Sequence, residues 1–153
     1  MSLRTHRTCA LVSGGLDSAF LLQSLLAQGL RVIPVYVRCG FRWEPAERHW
    51  LGRLLRAMRH PRLERLVMVE LPMRSLYGRH WSFRDKAVPS ASSPDAAVYL
   101  PARNAFLLTA AARVADTHKA ETIALGVLKG NPFGDASPRF LRLAGQALSE
   151  ALR

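Results

Sequence analysis

Short apolar runs alternate along the chain with longer amphipathic stretches. Four of the runs are strand-like: residues 9–13 (CALVS), 32–37 (VIPVYV), 66–71 (LVMVEL) and 122–127 (TIALGV). Each is almost unbroken in apolar side chains and bounded by turn formers, the pattern of strands buried on both faces of a parallel sheet. Between them the spacing changes to three and four. Residues 19–28 carry Phe20, Leu21, Leu22, Leu25 and Leu26 and stop at Gly29, a residue suited to the left-handed position after a helix end. Residues 45–59 open on Pro45 behind Glu44 and set Leu51, Leu54, Leu55 and Met58 on one stripe with arginines opposite. Residues 103–115 put Phe106, Leu107, Ala110, Ala111 and Val114 on one side. A last helix runs from Pro138, capped by Ser137, towards the C-terminus with Phe140, Ala144, Ala147 and Leu148 in register. Such alternation predicts an α/β fold: a doubly wound parallel sheet with helices on both faces, Rossmann-like in plan.

Two features depart from that plan. Residues 72–100 are long for a strand-to-helix connection and carry Tyr77, His80, Trp81 and Phe83, which suggests a lid or substrate loop. Within it, residues 88–97 (VPSASSPDAA) read as a mobile surface loop. With four strands, the last lies at a sheet edge with its outer side unpaired. Either the terminal helix buries its stripe on its own sheet, or edge and helix together form a homodimer interface.

Composition narrows the class. With 153 residues, 49% of them hydrophobic, the chain suffices for a single domain over 1–153 and not for two. No apolar run approaches the roughly 18 residues of a membrane span, and the first residues lack a secretory h-region, so no membrane association and a cytoplasmic location are expected. Cys9 and Cys39 are the only cysteines, which excludes a disulfide framework and any four-cysteine zinc site; zinc is not expected. The formal charge is +11, carried almost wholly by arginine. That favours a polyanionic partner such as tRNA, or else reflects an arginine-rich solvated surface.

The chemistry concentrates in Ser13-Gly14-Gly15-Leu16-Asp17-Ser18, placed between the first strand and the first helix. Two glycines permit a tight turn, the freed amides face outward, and the helix N-terminus adds partial positive charge, which together make a phosphate cradle. Ser13 and Ser18 can add hydroxyls. Asp17 would repel an anion, so it either holds Mg2+ against the phosphates or caps the helix. Neither the Walker pattern nor the dinucleotide fingerprint fits, since no lysine follows the glycines and a third glycine is missing.

This stretch resembles the S-G-G-x-D-S motif of the PP-loop ATP pyrophosphatases. Further stretches resemble the 7-cyano-7-deazaguanine (preQ0) synthases within that superfamily: Val35 to Gly40 leading to Glu47, Arg48 and His49; Leu100-Pro101-Ala102-Arg103-Asn104; residues 119–127; and Phe133-Gly134-Asp135 before Phe140. Ala102 stands where that family usually has glycine, and its C-terminal strand and zinc-cysteine cluster have no counterpart here, so a truncated or short member is expected. The resemblance implies the fold of the adenine nucleotide alpha hydrolases and the use of ATP and Mg2+. It also implies cleavage to AMP and pyrophosphate with adenylation of a small-molecule carboxylate, 7-carboxy-7-deazaguanine being the family's case. It assigns phosphate and nucleotide binding to Ser13, Gly14, Gly15, Leu16, Asp17 and Ser18, the metal to Asp17, adenine to the strand end at Tyr36 and Val37, and the ribose or α-phosphate side to Gly126 and Val127. Catalytic roles fall to Asp17, Ser18 and Arg103, whose cation at a helix start is unfavourable unless an anion sits beside it. A tRNA-modifying PP-loop enzyme and a nucleotide-binding module without turnover are the alternatives. Cys39, His49, Trp50, His80 and Trp81 read as packing or rim residues.

Overall fold

The computed structural model describes residues 6–84 and 88–153. The reading of the first residues therefore lies in part outside the described chain, as do residues 85–87 of the long connection. Strands β1 (Arg7–Leu11), β2 (Arg31–Arg38), β3 (Val67–Glu70) and β4 (Thr122–Leu125) form one parallel sheet in the order β3-β2-β1-β4. Helices α1 (Leu16–Ala27), α2 (Glu44–Ala57), α3 (Arg74–Tyr77), α4 (Arg103–His118) and α5 (Pro138–Ala151) connect and follow them. The expected α/β architecture is present, and β4 occupies a sheet edge as expected.

Successive residues of a strand point to opposite faces, and here both faces are covered. On one, Ala10, Val12, Val32 and Tyr36 meet Leu22 and Leu26 of α1 and Leu51 of α2. On the other, Cys9, Leu11, Ile33, Val35 and Val37 meet Leu108, Ala111, Val114 and Ala115 of α4. Burial on both sides is why β1 and β2 read as continuous apolar runs, whereas the edge strand β3 alternates half-buried and exposed residues. Pro34 sits within β2 even though proline cannot donate to a ladder. Val32, with the same backbone orientation as Pro34, bonds toward the β3 side; the missing N–H thus falls between the bridge at Leu63 and the first β3 pair, Val35 with Val67, where that ladder is interrupted.

Several boundaries differ from the sequence reading. α1 opens at Leu16 rather than at residue 19, so Asp17 and Ser18 lie in its first turn. α4 continues to His118, where Lys119 stops it in the left-handed conformation (φ 55°). Gly126 and Val127 follow β4 instead of belonging to it. On α5, Phe140, Leu141, Ala144 and Leu148 pack against the core of their own chain, while Ala147 is exposed and leaves the expected stripe.

The long connection after β3 is folded onto the C-terminal end of the sheet. Met73, Ser82, Phe83 and Leu100 are buried. The Met73 amide donates to the Cys39 carbonyl at 2.9 Å, the Arg42 amide to the Ser82 carbonyl at 2.9 Å, and the Tyr77 hydroxyl to the Pro101 carbonyl at 2.7 Å. His80 and Trp81 take part in this packing: the Trp81 indole donates to the Ala97 carbonyl at 2.9 Å, and His80 pairs with the Ser82 hydroxyl at 2.8 Å.

Candidate functional site

Beyond the C-terminal ends of β1, β2 and β4 lies a cavity of about 320 Å³. This is the place where open parallel sheets bind ligands, because the loops leaving the strands diverge there and helix N-termini point inward. Its wall brings together Ser13, Asp17, Ser18, Tyr36, Val37, Arg103, Gly126 and Val127 from the sequence-derived set. Gly14, Gly15 and Leu16 do not line it directly.

The loop from Ser13 to Ser18 explains itself residue by residue. Gly14 has φ 88°, and a Cβ there would lie 2.5 Å from the backbone nitrogen of Leu51 and 2.9 Å from the carbonyl oxygen of Glu47. The glycine is required because the loop turns directly against α2. Gly15 is different: a Cβ there would meet only the Ser13 hydroxyl, at 3.9 Å, so nothing among the described residues demands a glycine. Gly15 is the N-cap of α1, and among the described residues no side chain bonds the amides of its first turn. Asp17 is exposed in the first turn, where its charge faces the helix dipole without a hydrogen bond to an amide among the described residues, and a Cβ at Gly126 would stand 3.7 Å from its own Cβ. Ser18 is buried, and its hydroxyl accepts the Ser13 amide at 2.8 Å, which closes the turn and holds the loop in shape. Its hydroxyl also lies 3.3 Å from that of Ser13.

α4 meets the same cavity with a finished end. The Asn104 amide donates to Asp135 Oδ2 at 2.9 Å, and the Asn104 side chain donates to the Asp135 carbonyl at 3.2 Å. Ala102 precedes the helix at φ 61°, a conformation in which glycine carries no penalty. The Arg103 guanidinium lies 5.4 Å over the Phe41 ring, and its buried Nε has no hydrogen-bond partner among the described residues.

Two glutamates complete the site. Glu44 Oε1 accepts the amides of Cys39, Gly40 and Phe41 at 2.5, 2.7 and 3.2 Å, fixing the chain as it leaves β2. Glu47 lines the cavity and accepts the Tyr36 hydroxyl at 2.8 Å. Burial raises the Glu47 carboxyl above the ordinary glutamate value, partly offset by the Tyr36 bond and by Arg103. Burial and the neighbouring Glu47 also raise the Tyr36 hydroxyl, so it stays protonated. Glu47 and Asp135 stand out in the sequence only as parts of the resembling stretches and Glu44 only as the residue before Pro45; none has a local signal for a site role, since each is defined by partners brought in by the fold.

Cys39 lines the cavity as a buried thiol. Burial pushes its thiol up to about 12, and the S–H faces the Val37 carbonyl at 3.6 Å. Cys9 is likewise raised by burial to about 11, so neither is a thiolate nucleophile near neutral pH. Among the described residues no three His, Cys, Asp or Glu side chains cluster for a metal. A single exposed carboxylate, Asp17, still fits Mg2+, which takes one or two protein carboxylates and fills its remaining positions with phosphate oxygens and water.

A parallel α/β sheet whose strand-end cavity is entered by an S-G-G-L-D-S loop at a helix N-terminus defines a PP-loop domain. The family model described as "Queuosine biosynthesis protein QueC" matches residues 7–153, and the chain belongs to that family. A curated relative, 7-cyano-7-deazaguanine synthase 1 of Desulfitobacterium hafniense (strain Y51), is 25% identical over 149 residues. The match covers 96% of this chain and 66% of that protein, just short of two thirds of the relative's length. No helix among the described residues is long and apolar enough to cross a membrane.

Proposed function

We propose that the chain is an ATP-dependent PP-loop enzyme of queuosine biosynthesis that cleaves ATP to AMP and pyrophosphate and activates a carboxylated deazapurine, 7-carboxy-7-deazaguanine, on the way to preQ0. The observation that supports this best is the uncapped N-terminus of α1, held open beside the cavity by two glycines of which only Gly14 is needed for packing. Ser13, Gly14, Gly15, Leu16 and Ser18 would offer amides and hydroxyls to the pyrophosphate end of ATP. Asp17 would hold Mg2+, which supplies charge neutralisation for the phosphates. β2 runs past its last pair with β1 at Leu11 and Val35, which would leave the Val37 amide to the adenine, beside Tyr36 whose hydroxyl is held by Glu47. Gly126 and Val127 would border the ribose and α-phosphate.

Arg103 carries a cation whose Nε has no partner among the described residues, suited to the carboxylate or to charge that develops on the α-phosphate. The substrate carboxylate oxygen would attack the α-phosphorus and pyrophosphate would leave; ammonia or an amine then displaces AMP from the acyl carbon. Such a reaction needs positioning and charge neutralisation more than covalent chemistry by side chains. The test is to incubate the chain with ATP labelled in the α-phosphate, Mg2+ and the carboxylated deazapurine. AMP release that depends on the deazapurine supports the proposal. Binding of ATP with no AMP would indicate a module without turnover, and release that depends instead on tRNA would indicate a tRNA-modifying enzyme.

A further inference from the structure

The side of α2 that faces away from the sheet is strongly cationic. Arg48, Arg53, Arg56 and, just past the helix, Arg59 are exposed, and among the described residues none of the four forms an ion pair. Carboxylates in the same stretch are turned elsewhere: Glu44 to the amides of 39–41, Glu47 to Tyr36, and Glu64 to Arg7 and Arg31. In the middle of the arginines stands Trp50, 55% exposed, with the Arg53 guanidinium 5.0 Å over its ring and His49 edge-on at 5.3 Å. Arg56 lies back along the helix, its Nη1 3.4 Å from where a Cβ at Gly52 would be. Arg48, Gly52, Arg56 and Arg59 fall on one helix stripe and His49, Arg53 and Arg56 on the next, with Trp50 beside Arg53, so the arginines run round the exposed side of the helix to the indole.

We propose that this face of α2 binds single-stranded nucleic acid, with backbone phosphates on Arg48, Arg53 and Arg56 and an unpaired base stacked on Trp50. Rows of cations track a phosphodiester chain, and an exposed ring accepts any base face, a combination that serves binding without sequence preference. An anionic membrane fits less well. A helix that lies in a bilayer surface needs a free apolar face, and that of α2, formed by Leu51, Leu54, Leu55 and Met58, is spent on the core. The surface is separate from the strand-end cavity and does not depend on the reaction proposed above.

Fluorescence anisotropy of labelled RNA and DNA strands of roughly 12 nucleotides, titrated with the full chain between about 50 and 200 mM salt, tests this. With three phosphates contacted, log affinity is expected to fall against log salt with a slope of roughly −2, from about −0.7 per phosphate on single strands. Arg53→Glu with Arg56→Glu should weaken binding at least ~10-fold and flatten the slope; Trp50→Ala should weaken it at least ~5-fold with the slope unchanged. The same charge change on α5, Arg139→Glu with Arg142→Glu, should leave affinity within about twofold, since screening confines the effect to nearby phosphates. All these side chains are exposed, and circular dichroism melts would confirm that the variants fold. Preference for RNA or for DNA in the two arms identifies the ligand. Equal loss in the α5 variant, no effect of Trp50→Ala, or binding to phosphatidylserine vesicles without binding to either strand would overturn the proposal.

Discussion

Two helix N-termini open on one cavity, and they are finished in opposite ways. At α4 the chain supplies its own anion: Asp135, from the turn before α5, accepts the Asn104 amide. At α1 no side chain among the described residues bonds the first-turn amides, and a Cβ on the glycine at its N-cap would have only the Ser13 hydroxyl nearby, at 3.9 Å. Both ends carry the same partial positive charge and unsatisfied amides. What differs is who answers them. The α4 end is a structural joint that docks the loop after β4, while the α1 end has no such partner among the described residues and is the one we propose for phosphate.

The largest effect should come from Gly14→Ala. Its positive φ costs ~1–2 kcal/mol for an alanine, and backbone atoms of α2 stand within 3 Å of the new Cβ, so a loss of at least ~2 kcal/mol in chemical denaturation is expected. Asp135→Ala removes the cap of α4 and should cost about 1–2 kcal/mol in the same assay. Unchanged stability of that variant would show that Asp135 does not complete the α4 end. In the other direction, Ala102→Gly relieves a left-handed alanine at the price of unfolded-chain entropy, for a net gain of about 0.5 kcal/mol.

A smaller effect concerns pH. The Glu47 carboxyl is raised in the folded protein, so the folded state holds a proton that the unfolded state has released once the pH passes the ordinary value. Stability contributed by this group is therefore present at low pH and is lost as pH rises from about 4.5 through the raised value. Melting curves of Glu47→Gln across that window should lack this decline.

Most of the scaffold was legible because it rests on local pattern. β1 and β2 are buried on both faces and read as unbroken apolar runs, and Arg103 opens α4 as the periodicity indicated. The start of α1 was misplaced because Leu16, Asp17 and Phe20 are exposed there, so the first turn shows no apolar stripe. His118 closes α4 three residues later than its apolar side, since only the left-handed Lys119 ends it. The S-G-G-L-D-S loop was visible as a motif, but the different surroundings of its two glycines were not: one is pressed against α2, thirty-odd residues away, the other has only the Ser13 hydroxyl nearby. The roles of Glu44 and Asp135 were invisible for the same reason, their partners being set by the fold.

The central claim, that the α1 end and not the α4 end receives phosphate, is tested most directly by a 15N NMR titration of the full chain with Mg2+ and pyrophosphate. The amides from Gly14 to Ser18 should shift progressively and saturate, those of Arg103, Asn104 and Asp135 should move little, and Gly15→Ala should abolish the response while the protein stays folded. Saturating shifts at Asn104 and Asp135 with none in the loop from Ser13 to Ser18 would contradict it.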